Sequence, residues 1–160
     1  MHRRWPAIKR HAKYGLLALA ALLLQTLVLQ SLPILGVTLV ALPVIAAAIA
    51  MREEPVSAGL WGYAIGWLHD AVMPYSAAYH AIVLMLICAG IAWACRSVLR
   101  PSVPLAVLLT AGTLAVTMFF YFILFFFITG RAPFGALPQM VLLTSALSAP
   151  LAAVFYPATR

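Results

Sequence analysis

The stretch from Tyr14 to Met51, YGLLALAALLLQTLVLQSLPILGVTLVALPVIAAAIAM, decides the fold, because its 38 residues contain no charged side chain. One membrane-crossing helix needs roughly 20 apolar residues, so the stretch predicts two. Pro33 and Gly36, in SLPILG, supply the turn chemistry between them. The spans are expected over about 14–31 and about 35–51. Pro43 interrupts the second, which neighbouring membrane helices can accommodate.

Outward from this stretch the pattern repeats. Arg52-Glu53-Glu54-Pro55 is a charged loop whose proline suits the first position of a helix. Span three is expected over about 56–73, stopped by Pro74, and span four over about 77–95, ending at Arg96. Arg100-Pro101-Ser102-Val103-Pro104 forms the next turn. Span five, about 105–128, carries the aromatic block from Phe119 to Phe127; after TGRAPFGALP, span six covers about 139–156. Composition agrees: 66% of residues are hydrophobic and 8% charged, too little polar surface for a water-soluble domain. The predicted fold is an all-α integral membrane protein, a six-helix transmembrane bundle. A basic N-terminal segment at 1–13, one membrane domain at 14–156 and a short C-terminal end at 157–160 make up the chain.

The net charge of +7 is not spread evenly. Arg3, Arg4, Lys9, Arg10 and Lys13 supply five of the ten cationic residues. With six spans, segments 1–13, 52–55, 96–104 and 157–160 share one side and hold nine of the ten, leaving Arg131 opposite. The positive-inside rule then makes the N-terminus and C-terminus cytoplasmic. The basic segment is expected to meet anionic lipid, at about 1 kcal/mol per charge near the surface. No basic groove or stacking platform points to nucleic acid. No small-x-small cleavage site precedes Pro33, so the first span is expected to be retained.

No connection exceeds about ten residues, which leaves no room for a soluble catalytic domain. GxSxG, HExxH and phosphate-loop patterns are missing, and Glu53 and Glu54 are expected on the opposite side from Asp70. No enzyme activity, catalytic residue, metal or cofactor is expected. The two loop glutamates read as solvated. Cys88 and Cys95 lie seven apart on one helix, about 10.5 Å along the axis, beyond disulfide reach. The methionines and the aromatic block read as lipid-facing or core filling.

One constellation stands out. Gly59, Gly62, Gly66 and Asp70 fall within an arc of about 80° on one face of span three. Gly62 and Gly66 have the spacing that lets membrane helices approach backbone to backbone. The groove either packs against the protein's own helices or receives a partner helix. Asp70, near the outer boundary, is unfavourable there unless hydrated or paired. His80, opening span four at the same level, is the expected partner; His69 lies about 100° away around the helix. Thr110, Thr113, Thr117 and Tyr121 form a polar stripe on span five, expected to bond between helices.

Gly59-x-x-Gly62-x-x-x-Gly66-x-x-x-Asp70, followed by His80-Ala81 at the head of the next span, resembles the rod shape-determining protein MreD family of bacteria. The specific match covers about residues 56–95, and elsewhere only size and hydropathy agree. The chain departs from the family at Pro74 and Ala78, near which the family often has glycine. The resemblance implies a non-enzymatic scaffold of the cell-elongation machinery in the bacterial cytoplasmic (inner) membrane, regulating cell shape and lateral peptidoglycan synthesis. The implied partners are an MreC-like single-span protein, the actin-like MreB and wall-synthesis enzymes. Gly59, Gly62, Gly66, Asp70 and His80 are the residues that carry over. The alternative is a substrate-binding subunit of an energy-coupling vitamin transporter, which would need polar groups converging on an outer pocket. Asp70, Tyr75, Tyr79 and His80 could begin one.

Overall fold

Leu42–Ala50, LPVIAAAIA, is apolar on every side, and a helix of that kind has to be enclosed. The computed structural model, which describes residues 5–29, 39–72, 78–129 and 137–159, shows how. Helix α1 (Trp5–Leu24) runs into a π-helical turn (Gln25–Leu29), followed by α2 (Leu42–Ala50), α3 (Pro55–Val72), α4 (Tyr79–Ser97), α5 (Val103–Thr129), α6 (Leu137–Ser148) and α7 (Leu151–Ala158). Every regular element among the described residues is helical. All nine residues of α2 are buried, and α1, α3, α4, α5 and α7 pack around it. The alanines at 46, 47, 48 and 50 let five neighbours approach closely. Pro33, Gly36, Pro74, Tyr75 and Arg131, with the turns assigned to them, lie outside the described residues.

The surrounding helices turn large apolar side chains outward. Leu16, Leu19, Leu23 and Leu27 are exposed on the first helical segment, Val56, Leu60, Tyr63 and Trp67 on α3, and Phe119 and Phe120 on α5. Tyr79–Ser97 and Val103–Leu124 are each long and apolar enough to cross a membrane. The pair Val141–Ser148 and Leu151–Ala158 meets the same test jointly.

The basic residues Lys9, Arg10 and Lys13 lie within α1, which is helical from Trp5 onward. Lys9, Arg10 and Lys13 are good helix formers, and Arg10 gains an acidic partner in Glu53. The segment expected to form span six is not one straight helix: α6 and α7 meet at 46°. Pro150 has no N–H to continue the ladder, and its ring crowds the preceding turn.

The polar ends are tied together. Arg10 forks onto Glu53, with Nε 2.9 Å from Oε1 and Nη2 donating to Oε2 at 3.3 Å. Ser57 donates its hydroxyl to the same Oε2 at 3.1 Å. Glu53 is therefore buried and paired rather than solvated, whereas Glu54 is exposed and lies 3.5 Å from Arg96. Arg52 Nε donates to Thr159 Oγ1 at 2.9 Å. These contacts gather the start of α1, the turn between α2 and α3, the end of α4 and the end of α7 at one end of the bundle.

Candidate functional site

At the opposite end, the glycine face of α3 is filled by α4. A Cβ added to Gly62 would lie 2.5 Å from the Leu84 carbonyl oxygen and 2.9 Å from Cys88 Cβ. One added to Gly66 would lie 2.5 Å from both Ala81 Cα and the His80 carbonyl oxygen. Gly59 has more room, its nearest neighbour being the Met85 carbonyl oxygen at 3.5 Å. Between membrane helices water supplies no hydrophobic drive, so close packing and interhelical bonds do the work. Of the two readings of this groove, internal packing or reception of a partner helix, the contacts at Gly62 and Gly66 are those of internal packing, and the occupant is α4.

Close approach brings Asp70 to the start of α4. The first residues of a helix have unsatisfied N–H groups, and the N-cap residue, Ala78, has no side chain to offer them. Asp70 does this from the neighbouring helix. Its Oδ1 accepts from the His80 backbone N–H at 3.2 Å, and its Oδ2 accepts from that of Ala81 at 3.0 Å. His80 Nδ1 sits 2.7 Å from Oδ1; a carboxylate only accepts, so Nδ1 carries the proton. Both side chains are nearly sealed, with 4% of His80 and 7% of Asp70 exposed. Negative charge at a helix N-terminus also meets the favourable end of the helix dipole.

The structure extends this pair into a network that reading the sequence missed. His69 is buried beside His80, ring centroids 4.4 Å apart and edge to face. Its Nδ1 is 3.2 Å from Gln25 Nε2. Gln25 Oε1 accepts from the backbone N–H groups of Ala41 and Leu42, both at 3.1 Å. That fixes the amide's orientation, makes Nε2 the donor to His69, and leaves the His69 proton on Nε2. Gln25 thus caps α2 as Asp70 caps α4, each from another helix. The π-helical turn carries Gln25, and such turns often mark special positions. Ser148 Oγ accepts from the Val40 N–H at 3.1 Å, adding α6 to the start of α2.

Tyr79 and Tyr121 flank His80, with ring centroids at 4.9 Å and 5.7 Å. The Tyr79 hydroxyl donates to the Thr117 carbonyl at 2.9 Å. The threonine stripe departs from expectation. Thr113 donates to the Leu109 carbonyl at 2.8 Å, and Thr117 to the carbonyls of Thr113 and Leu114. These hydroxyls bond back within α5, a common resolution for threonine inside a helix.

A cavity of about 250 Å³ beside Asp70 is lined by Trp67, Asp70, Ala71 and Ala78. It is smaller than the roughly 300–1,000 Å³ usual for small-molecule sites, and it gathers one polar side chain instead of several. Cys88 is buried under Gly62, and both thiols are free. No protein family, curated protein or solved structure matches this chain.

Proposed function

We propose that the chain is a non-enzymatic membrane scaffold of the cell-elongation machinery, acting in the bacterial inner membrane beside an MreC-like single-span protein. What carries this reading is that Gly59, Gly62, Gly66, Asp70 and His80, the residues that resemble the MreD family, converge on one clasp between α3 and α4. A family pattern that fixes glycines, an acid and a histidine together makes physical sense as that clasp. The reading includes six crossings, counting α6 and α7 as one bent span, with both termini cytoplasmic. The joining of Arg10, Arg52, Arg96 and Thr159 at one end supports that arrangement.

The glycine face is spent inside the bundle, so partner helices, MreB and wall-synthesis enzymes dock elsewhere. The transporter alternative is weaker: Asp70 is committed to capping α4 and to the His80 ring, and Tyr79 to α5. Depleting the protein from a rod-shaped host tests the proposal. Rounded cells and loss of MreC co-purification are expected; rods that keep their width and elongate normally would overturn it.

A further inference from the structure

A second cavity, of about 280 Å³, opens at the arginine-bearing end of the bundle, lined by residues including Arg10, His11, Arg52, Glu53, Glu54 and Arg96. Its charges are unequally matched. Glu53 pairs with Arg10, although its Oε1 makes no hydrogen bond, and Glu54 faces Arg96. Arg52 has no carboxylate partner among the described residues.

Arg52 is nonetheless held in place. Its Nε donates to Thr159, and its guanidinium carbon lies 4.4 Å from the centroid of the Tyr156 ring. One terminal nitrogen, Nη2, is buried without a hydrogen-bond partner. An unmade bond on a buried donor costs about 1–3 kcal/mol, and more on a charged one. His11 offers a second donor: its Nδ1 accepts from the Trp61 indole N–H at 3.1 Å, so neutral His11 carries its proton on Nε2. Arg96, half exposed, lies across the cavity on α4. Donors therefore come from α1, from the turn between α2 and α3, and from α4. A planar carboxylate offers two oxygens in one direction; a tetrahedral phosphate offers oxygens toward all three elements.

We propose that this cavity is a phosphate site, with Arg52 as its anchor and Arg96 and His11 as flanking donors. The phosphate belongs to an anionic lipid headgroup or to a soluble phosphate. The site stands independently of the scaffold reading.

The full-length protein in a maltoside detergent, titrated with phosphatidylglycerol or with inorganic phosphate against chloride at matched ionic strength, tests this. Melting temperature and lipid adducts in native mass spectrometry are the readouts. One or both probes should raise the melting temperature beyond chloride. Arg52→Gln should weaken the apparent affinity about tenfold or more, the loss of one charged hydrogen bond. Arg100→Gln, an exposed cation outside the cavity, should keep wild-type affinity. If Arg52→Gln does not fold, Arg96→Gln replaces it, with a smaller loss expected. A response to the lipid alone assigns the site to a headgroup, and one to inorganic phosphate alone assigns it to a soluble anion; both uphold the site. No response beyond chloride, or equal weakening by the cavity variant and Arg100→Gln, overturns it.

Discussion

Gly66→Ala puts the clasp between α3 and α4 to its most direct test. The added methyl would lie 2.5 Å from Ala81 Cα and the His80 carbonyl oxygen, and 2.7 Å from the Ala81 nitrogen. These are backbone atoms in the first turn of α4, so no side chain can swing away. Ordinary contact begins near ~3.5 Å, and the helices must part by roughly an ångström. Asp70, one turn further along, moves with α3. Its bonds to the His80 and Ala81 N–H groups, at 3.2 Å and 3.0 Å, then pass beyond useful length. Overpacking costs about 1–3 kcal/mol and the lost cap about as much, offset by about 1 kcal/mol of alanine helix propensity. The net loss should be about 2–4 kcal/mol. Gly59→Ala is the internal control, because its methyl meets nothing closer than 3.5 Å; it should be neutral or mildly stabilising. Titrating folded protein in mixed micelles with a denaturing detergent, followed by tryptophan fluorescence from Trp61, Trp67 and Trp93, measures both. If Gly66→Ala and Gly59→Ala unfold at the same detergent fraction, the close-approach argument is wrong.

Other outcomes follow from the same geometry. Asp70→Asn and His80→Ala should each cost about 2–4 kcal/mol, and the double variant should be little worse than either, as a double-mutant cycle would show; additive losses would mean the two side chains do not act together. Gln25→Leu removes the acceptor for the Ala41 and Leu42 N–H groups. It should cost about 1–3 kcal/mol and speed hydrogen exchange at those two amides; unchanged exchange would remove the cap from the account. Ala78→Gly should stabilise by about 0.5–1 kcal/mol, because Ala78 sits at φ 61°, where a Cβ is strained. A lower melting temperature for that variant would count against the strain.

The helical character was legible in long runs without charge and short polar interruptions, and two of the helices, Tyr79–Ser97 and Val103–Leu124, are long and apolar enough to cross a membrane. The pairing of Asp70 with His80 was legible for a related reason, since an acid in apolar surroundings needs a partner and few were available. What filled the glycine face was not. Spacing identifies which side of a helix permits close approach but says nothing about which helix approaches. His69 lies about 100° from Asp70 around α3, yet the His80 ring meets both. Gln25 carried a signal that went unused, an amide in an apolar run that must find partners once buried. The threonines of α5 were ambiguous in principle, because a hydroxyl on a helix can serve its own backbone as readily as a neighbour's. Ala78 joins the two levels: the resembled family often has glycine near this position, and here the backbone takes the conformation glycine favours.

The burial of α2 has a consequence for how the protein meets its bilayer. A helix touching lipid can tilt or shift to match the local hydrocarbon thickness. This one touches none. At one end Gln25 and Ser148 hold the residues that lead into it, and at the other Arg52 and Glu53, just beyond it, are fastened to Thr159 and Arg10. It acts as a post around which α1, α3, α4, α5 and α7 are packed, pinned at both ends by side chains of other helices.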